Sequence, residues 1–384
     1  MRSFAIIAIS IVLIGSAKAA VPNATDTPSR TGQYPVWDQV PRTDDPQIVE
    51  WLKSVDLSQA PNIPLSKDGT CPKSFDPNIC WWTCNGCTRP DDVVVCRKAK
   101  TWGLTYDDGP TNNLYFWSCS RYTKYLLEHL NKKALTATFF IVGSRAAESP
   151  LVVAEEARLG HQLAVHTWSH HALTSLTNEQ IAAELLWTSK AIFDASGLYP
   201  AYFRPPYGDI DDRVRYVAKA VGMTPVIWTS GYDTEDWQIG SNPKYTEKSI
   251  ITTFTSWIPK ILALKTGFIT LEHDLSGSSV ITATKLLPIA IAKGIKPMSV
   301  AKCVNGTPYR KSLLVHTGNS TVPSIASSTS FPSATASVNS TQSSGGPTVI
   351  PISTPTANSA TRNALASGSS IALVVLAVVS YSLL

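Results

Sequence analysis

Between Trp102 and Val300 the period of the apolar residues switches repeatedly between that of a strand and that of a helix. Short strand-like runs occupy Trp102–Tyr106, Ala137–Val142, Gln162–His166, Ala201–Arg204, Met223–Thr229, Gly267–Glu272 and Lys296–Val300. Helix-like segments lie between them, at Cys119–Asn131, Pro150–Leu159, Thr177–Ser196, Asp211–Ala220, Glu247–Ile261 and Ile281–Lys293. Few folds fit such an alternation. Strands joined by crossover helices pair in parallel and are covered on their faces by those helices, so the pattern predicts an α/β protein with a parallel sheet inside a helical coat. Thr177 and Gln180 have the spacing of a capping box. A stretch of roughly 200 residues with this pattern has the size of a small, distorted and incomplete TIM-like (β/α)7 barrel. A doubly wound open sheet is the alternative, but no Gly-rich phosphate loop follows the first strand to favour it.

Polar residues collect where these strands end. TYDDGP spans Thr105–Pro110, HTWSHH begins at His166, RPPYGD begins at Arg204, DTEDW spans Asp233–Trp237 and LEHD spans Leu271–Asp274. Parallel barrels assemble their sites at the C-terminal ends of the strands, and all five clusters fall there. His166 and His170 are four residues apart, and two imidazoles at that spacing can face one ion. A carboxylate from a neighbouring strand would complete a three-ligand set with positions left for water and substrate. The double acid then has a reason to exist: one Asp can join the ligands while the other is free to act as a base.

In this order and at these intervals the five clusters resemble the motifs of the NodB-like polysaccharide deacetylases, carbohydrate esterase family four. The resemblance covers about Thr101 to Val300. It implies that Asp108, His166 and His170 hold one divalent metal ion, zinc or cobalt. Asp107 would be the general base and His273 the general acid that protonates the leaving amine. Arg204 would orient and tune Asp107, and Asp236 would do the same for His273. The backbone N–H of Tyr207 would stabilise the oxyanion, and Trp237 and Leu271 would wall the pocket for the acetyl methyl. Tyr106 departs from the family's commoner Phe and leaves the Asp pair intact.

The flanks place this unit in a secreted protein. Arg2, an apolar run from Phe4 to Ile14 and the small residues Ala17 and Ala19 read as a signal peptide over residues 1–19. Residues 20–96 form a Cys-rich extension ahead of the catalytic domain at 97–305. From Gly318 to Ser370 the chain carries 23 Ser or Thr in 53 residues, a composition that predicts a disordered, O-glycosylated stalk over 306–370. The apolar end at 371–384, behind small residues and a polar spacer, has the pattern of a GPI signal with Asn358 or Asn363 as attachment residue. Sequons stand at Asn23, Asn305, Asn319 and Asn339. Five of the seven cysteines cluster between Cys71 and Cys96, and in an oxidising compartment they should pair. Cys96 precedes the first core strand and Cys303 follows the last, so a bridge between them would close the domain. The formal charge of +5 arises late: after Asp274 there are seven basic residues and no acid. No basic stripe interleaved with aromatics is present, which excludes a nucleic-acid partner.

A Cys-rich prelude containing CWWTC, a leader and a GPI-like tail are similar to those of the family's fungal cell-wall chitin deacetylases. That likeness implies a monomeric protein acting on chitin or chitin oligosaccharides, tied to the membrane through a GPI lipid or attached to cell-wall polysaccharide. Peptidoglycan-like polymers, acetylxylan and a catalytically silent wall protein remain open at this level.

Overall fold

The computed structural model describes residues 33–74, 76–111 and 122–314. The leader, Asn23, Cys119, Asn319, Asn339, the stalk beyond His316, Asn358, Asn363 and the apolar tail lie outside the described residues. No described helix is long and apolar enough to cross a membrane.

The strands are β1 (Thr101–Gly103), β2 (Thr105–Asp107), β3 (Thr138–Ile141), β4 (Gln162–Val165), β5 (Tyr199–Pro200), β6 (Tyr202–Phe203), β7 (Thr224–Pro225), β8 (Phe268–Ile269), β9 (Lys296–Met298) and β10 (Tyr309–Arg310). β2-β3-β4-β6-β7 form one parallel sheet and β8-β1-β9 another, while β10 pairs antiparallel with β5. The first strand-like run is therefore two strands. The break falls at Leu104, whose N–H donates to Met298 O at 2.9 Å and whose carbonyl accepts from Thr138 N at 2.9 Å, so one residue links both sheets.

The opposite seam, between β7 and β8, is spanned by the extension. Val93 pairs in parallel with Val226, donating to Pro225 O at 2.9 Å and accepting from Ile227 N at 2.9 Å. On its other side the segment meets β8: Gly267 N–H donates to Cys96 O at 2.9 Å, and Thr229 Oγ1 bridges from Val94 O to Ile269 N. The ring of strands closes with Val93–Cys96 as an additional stave.

Alternate strand residues split between two apolar clusters, as the two-residue period demands. Phe139, Ile141, Leu163, Val165, Phe203 and Phe268 pack with the helices. Phe140, Ala164, Tyr202, Val226 and Ile269 pack with one another and with Cys96, Val300, Ala301 and Cys303. A short helix, Val300–Val304, plugs the N-terminal end of the ring, its first N–H groups donating to Thr138 Oγ1 at 2.8 Å and Gln162 Oε1 at 2.7 Å. The C-terminal end stays free for the polar clusters.

Several boundaries differ from the sequence reading. The last strand stops at Met298 because Ser299 N-caps that helix, and the helix read from Ile281 begins at Gly277 behind the capping residue Ser276. The longest helix, Asn178–Ser196, carries the Thr177/Gln180 capping box and ends at Gly197. Gly143–Glu148, an unread helix, begins with a glycine where Trp168 and Thr188 crowd the backbone: a Cβ there would lie 2.5 Å from Thr188 Oγ1. Three disulfides are present among the described residues, Cys71–Cys84, Cys80–Cys87 and Cys96–Cys303. Each half of the Cys84-x-x-Cys87 pair is thus bonded to a different partner.

Candidate active site

β2 carries the double acid to the open end. Asp107 lies beside His273 in an isolated parallel bridge, its N–H donating to Glu272 O at 2.9 Å and its carbonyl accepting from Asp274 N at 3.1 Å. The strand pairing alone therefore brings TYDDGP and LEHD together. Gly109 is required because Asp274 lies against it: a Cβ there would sit 2.2 Å from Asp274 Oδ2. Asp108 has φ of 75°, which turns its side chain out of the strand's alternation. Thr167, His170, Tyr207 and Glu235, all in the motifs, also have positive φ. Strain of this kind persists only where the surroundings hold it, and it gathers at functional sites.

Asp108, His166 and His170 offer ligand atoms that all lie within 4.8 Å of one another. His166 Nε2 is 3.3 Å and His170 Nε2 is 3.1 Å from Asp108 Oδ1. That oxygen is buried and receives no hydrogen bond. His166 Nδ1 lies 2.8 Å from the carbonyl of Arg204; donating there, it leaves the Nε2 lone pair facing Asp108. Two imidazole lone pairs facing an orphaned buried oxygen, itself the third donor, fit a divalent cation. Burial opposes the charge on Asp108, yet the neighbouring histidines hold its carboxyl well below the usual range.

Asp107 is held differently. Arg204 Nη1 donates to Asp107 Oδ1 and to Thr105 Oγ1, both at 2.8 Å. The guanidinium is fully buried and lies 4.3 Å over the ring of Phe140. Burial pulls its pKa down, and the charge of Asp107 opposes that fall. His273 is fixed at two atoms: its N–H donates to Asp236 Oδ2 at 3.0 Å and its Nδ1 lies 2.7 Å from Asp236 Oδ1. Burial disfavours the charged ring, but Asp236, Asp108 and Asp107 outweigh it and raise the His273 pKa to about 10. The flanking acids of LEHD are pushed up by burial, Glu272 to about 8 and Asp274 to about 7.

Leu271 is buried, whereas Trp237 and Tyr207 are exposed. Thr234 ties the DTEDW loop to the Leu271 carbonyl through its N–H at 3.2 Å and its hydroxyl at 2.8 Å. Asn305 is exposed at the end of the plug helix with φ of 55°. Of the three acids after Tyr207, only Asp211 caps the following helix, accepting from Val214 N at 2.8 Å. Asp209 accepts from Trp81 Nε1 at 2.8 Å and Thr174 Oγ1 at 2.7 Å, and Asp212 pairs with Arg89 at 2.7 Å, so both fasten the extension or the His loop instead.

Residues 95–226 match the profile of a family described as polysaccharide deacetylase. The chain is 42% identical over 312 residues to chitin deacetylase 1 of Cryptococcus neoformans var. grubii, covering 77% of this chain and 63% of that protein. It is 34% identical over 272 residues to chitin deacetylase 1 of Saccharomyces cerevisiae, covering 71% of this chain and 81% of that protein. The chain belongs to the polysaccharide deacetylase family. It spans 63% of the length of the Cryptococcus relative. The fold is shared with the chitin deacetylase from the fungal pathogen Colletotrichum lindemuthianum, with a TM-score of 0.50 at 24% identity, covering 57% of this chain and 95% of that one.

One residue of this polysaccharide deacetylase site escaped the sequence reading. Glu184 is fully buried on the Asn178–Ser196 helix and grips the loop between the two histidines. Its Oε2 accepts from Trp168 N at 2.6 Å and Ser169 N at 2.9 Å, and its Oε1 accepts from Ser169 Oγ. Two backbone N–H groups of a strained loop are thereby satisfied by one carboxylate. The signal was present: Glu184 lies at helical spacing with Ile181, Thr188 and Ala191, an acid inside an otherwise inward-facing stripe.

Proposed function

We propose that this chain hydrolyses the acetamido groups of N-acetylglucosamine residues in chitin, releasing acetate and leaving a free amine on the polymer. The observation that carries this reading is the separation of the two adjacent acids. Asp108 faces His166 and His170, while Asp107 is held by Arg204 beside the strand that presents His273. The names of the fungal relatives support chitin as the polymer.

Asp108, His166 and His170 would hold the cation, zinc or cobalt. When bound, such an ion polarises the acetyl carbonyl and lowers the pKa of water from about 15.7 toward about 7. Asp107 takes the proton from the attacking water, with Arg204 fixing one of its oxygens. The Tyr207 N–H stabilises the oxyanion, a contribution on the order of 3 kcal/mol in such reactions. The C–N bond then breaks, and His273 delivers its Nε2 proton to the amine nitrogen. Asp236 holds the Nδ1 proton and the ring orientation through that transfer. Leu271 and Trp237 wall the methyl side of the acetyl group. Acetate release from chitin oligomers by the full chain, abolished by chelation and restored by the cation, is the expected result. Full activity after thorough chelation overturns the ligand assignment, and absence of acetate overturns the reaction.

The His273 environment also sets a pH dependence. Asp236 supplies the first of the charges that hold the proton on the ring against burial, and a bound cation offsets the share from Asp108. Removing that charge lowers the His273 pKa, so the ring loses its proton at a lower pH. The alkaline limb of kcat in Asp236→Asn should therefore move down by about 1–3 pH units. An unmoved limb assigns the general acid elsewhere.

We place the protein outside the cell, where the three disulfides persist. Attachment to the plasma membrane through a GPI lipid or to wall polysaccharide is the reading that the composition of the C-terminal region supports.

A further inference from the structure

The extension does more than close the barrel. Residues Val36–Gln39 form a tight turn in which Gln39 N–H donates to Val36 O at 3.3 Å, with Asp38 in the left-handed region at φ of 57°. The apolar residues at this turn face water: Val36 is 64% and Trp37 54% exposed. The turn is nevertheless pinned to the reaction centre. Trp168 Nε1 donates to the same Val36 carbonyl at 3.1 Å, and Trp168 lies within the loop that joins His166 to His170. Tyr34 stacks on the Trp168 indole with centroids 5.7 Å apart. Two residues on in the same loop, the His170 ring packs edge-on against the Tyr207 ring at 4.8 Å. The Val36–Asp38 turn is thus fastened to the loop that carries both histidines, at a residue two positions before His170. The extension reaches the RPPYG turn a second time through Trp82, which packs edge-on against Trp228, both pressing on Gly208: a Cβ there would lie 2.9 Å from Trp82 and 2.8 Å from Trp228.

An exposed indole on a turn pinned beside a site offers a surface to an apolar face, and a pyranose ring presents such a face of axial C–H groups. We propose that Trp37, with Val36 beside it, is a stacking shelf for a sugar ring of the polymer flanking the residue that reacts. The shelf belongs to this chain's extension, so the extension selects for polymer length while the barrel performs the hydrolysis. This inference rests on the deacetylase reading.

The test compares the full chain with its W37A variant on the dimer and the hexamer of N-acetylglucosamine, following acetate. Trp37 lies on the surface and outside the ligand and acid-base residues, so kcat at saturation should be unchanged. The expected result is a KM for the hexamer raised about tenfold, with the dimer within about twofold. A hexamer KM within about twofold of the parent, or equal losses on both substrates, overturns the shelf. If the parent releases no acetate from either, the deacetylase reading has failed. Calorimetric titration of the hexamer into both proteins then decides the shelf alone: weaker binding by W37A supports it and equal binding overturns it.

Discussion

Asp107→Asn should lower kcat for acetate release by about 10²–10⁴-fold while leaving the cation bound. The asparagine oxygen can still accept from Arg204 Nη1, so the side chain keeps its place, but it has no basicity to offer the water. Asp108, His166 and His170 are untouched, and cation affinity measured by chelator competition should match the parent's. The same substitution has a second cost. Arg204 is fully buried, and Asp107 is the carboxylate paired with it at 2.8 Å; without that charge the guanidinium is left undercompensated, which destabilises by about 3–5 kcal/mol in comparable cases. Activity must therefore be compared well below both melting temperatures. A kcat within about threefold of the parent, with the cation bound, would remove Asp107 as the base.

The second large effect concerns the fold. Cys96 and Cys303 are both buried and close a loop of 207 residues that contains every strand of the ring except the stave from the extension. In the chain-entropy picture a loop of that length contributes about 5 kcal/mol. For a domain of this size the double variant C96S/C303S should melt roughly 10–20 °C lower. The bridge also sits against the plug helix and Gly103, whose Cβ position lies 3.1 Å from Cys96 Sγ, so the loss should include interior packing. A drop of less than about 3 °C would show that the sheet pairing alone holds the seam shut. By contrast, Cys71–Cys84 closes a separation of only 13 residues, and its removal should cost less.

The site motifs were legible because a parallel barrel obliges chemistry to stand at strand ends, and those residues follow one another at recognisable intervals. Asp107 and His273 meet because their strands bridge, a consequence of order rather than of local sequence. What stayed hidden depends on partners distant in the chain. Nothing local marks Leu104 as a break, since the apolar alternation runs on from Thr101 to Tyr106; the split arises because its N–H and carbonyl are claimed by Met298 and Thr138. The ladder at β7 is shorter than the run Met223–Thr229 because Pro225 lies within it and offers no N–H. Glu184 stands in the inward stripe of its helix, but the loop it grips lies 15 and 16 residues earlier in the chain and nothing local announces that contact. The stave at Val93–Cys96 carries three consecutive valines, a strand signal that went unread because the run is short and stands apart from the alternating region.

That stave has a consequence for how the chain comes to its final form. Synthesis delivers Val94 early, yet its partner Thr229 lies 135 residues later, and Cys96 must await Cys303 across 207. The two edges of the sheet can meet only after nearly all of the polypeptide has emerged, so the last step is a long-range closure of high contact order and the unfinished sheet spends its youth with two open edges. A nascent chain in that condition is a natural client for chaperones of the secretory route. Shortening it at Arg97, where the repeating pattern begins, would leave the barrel permanently ajar.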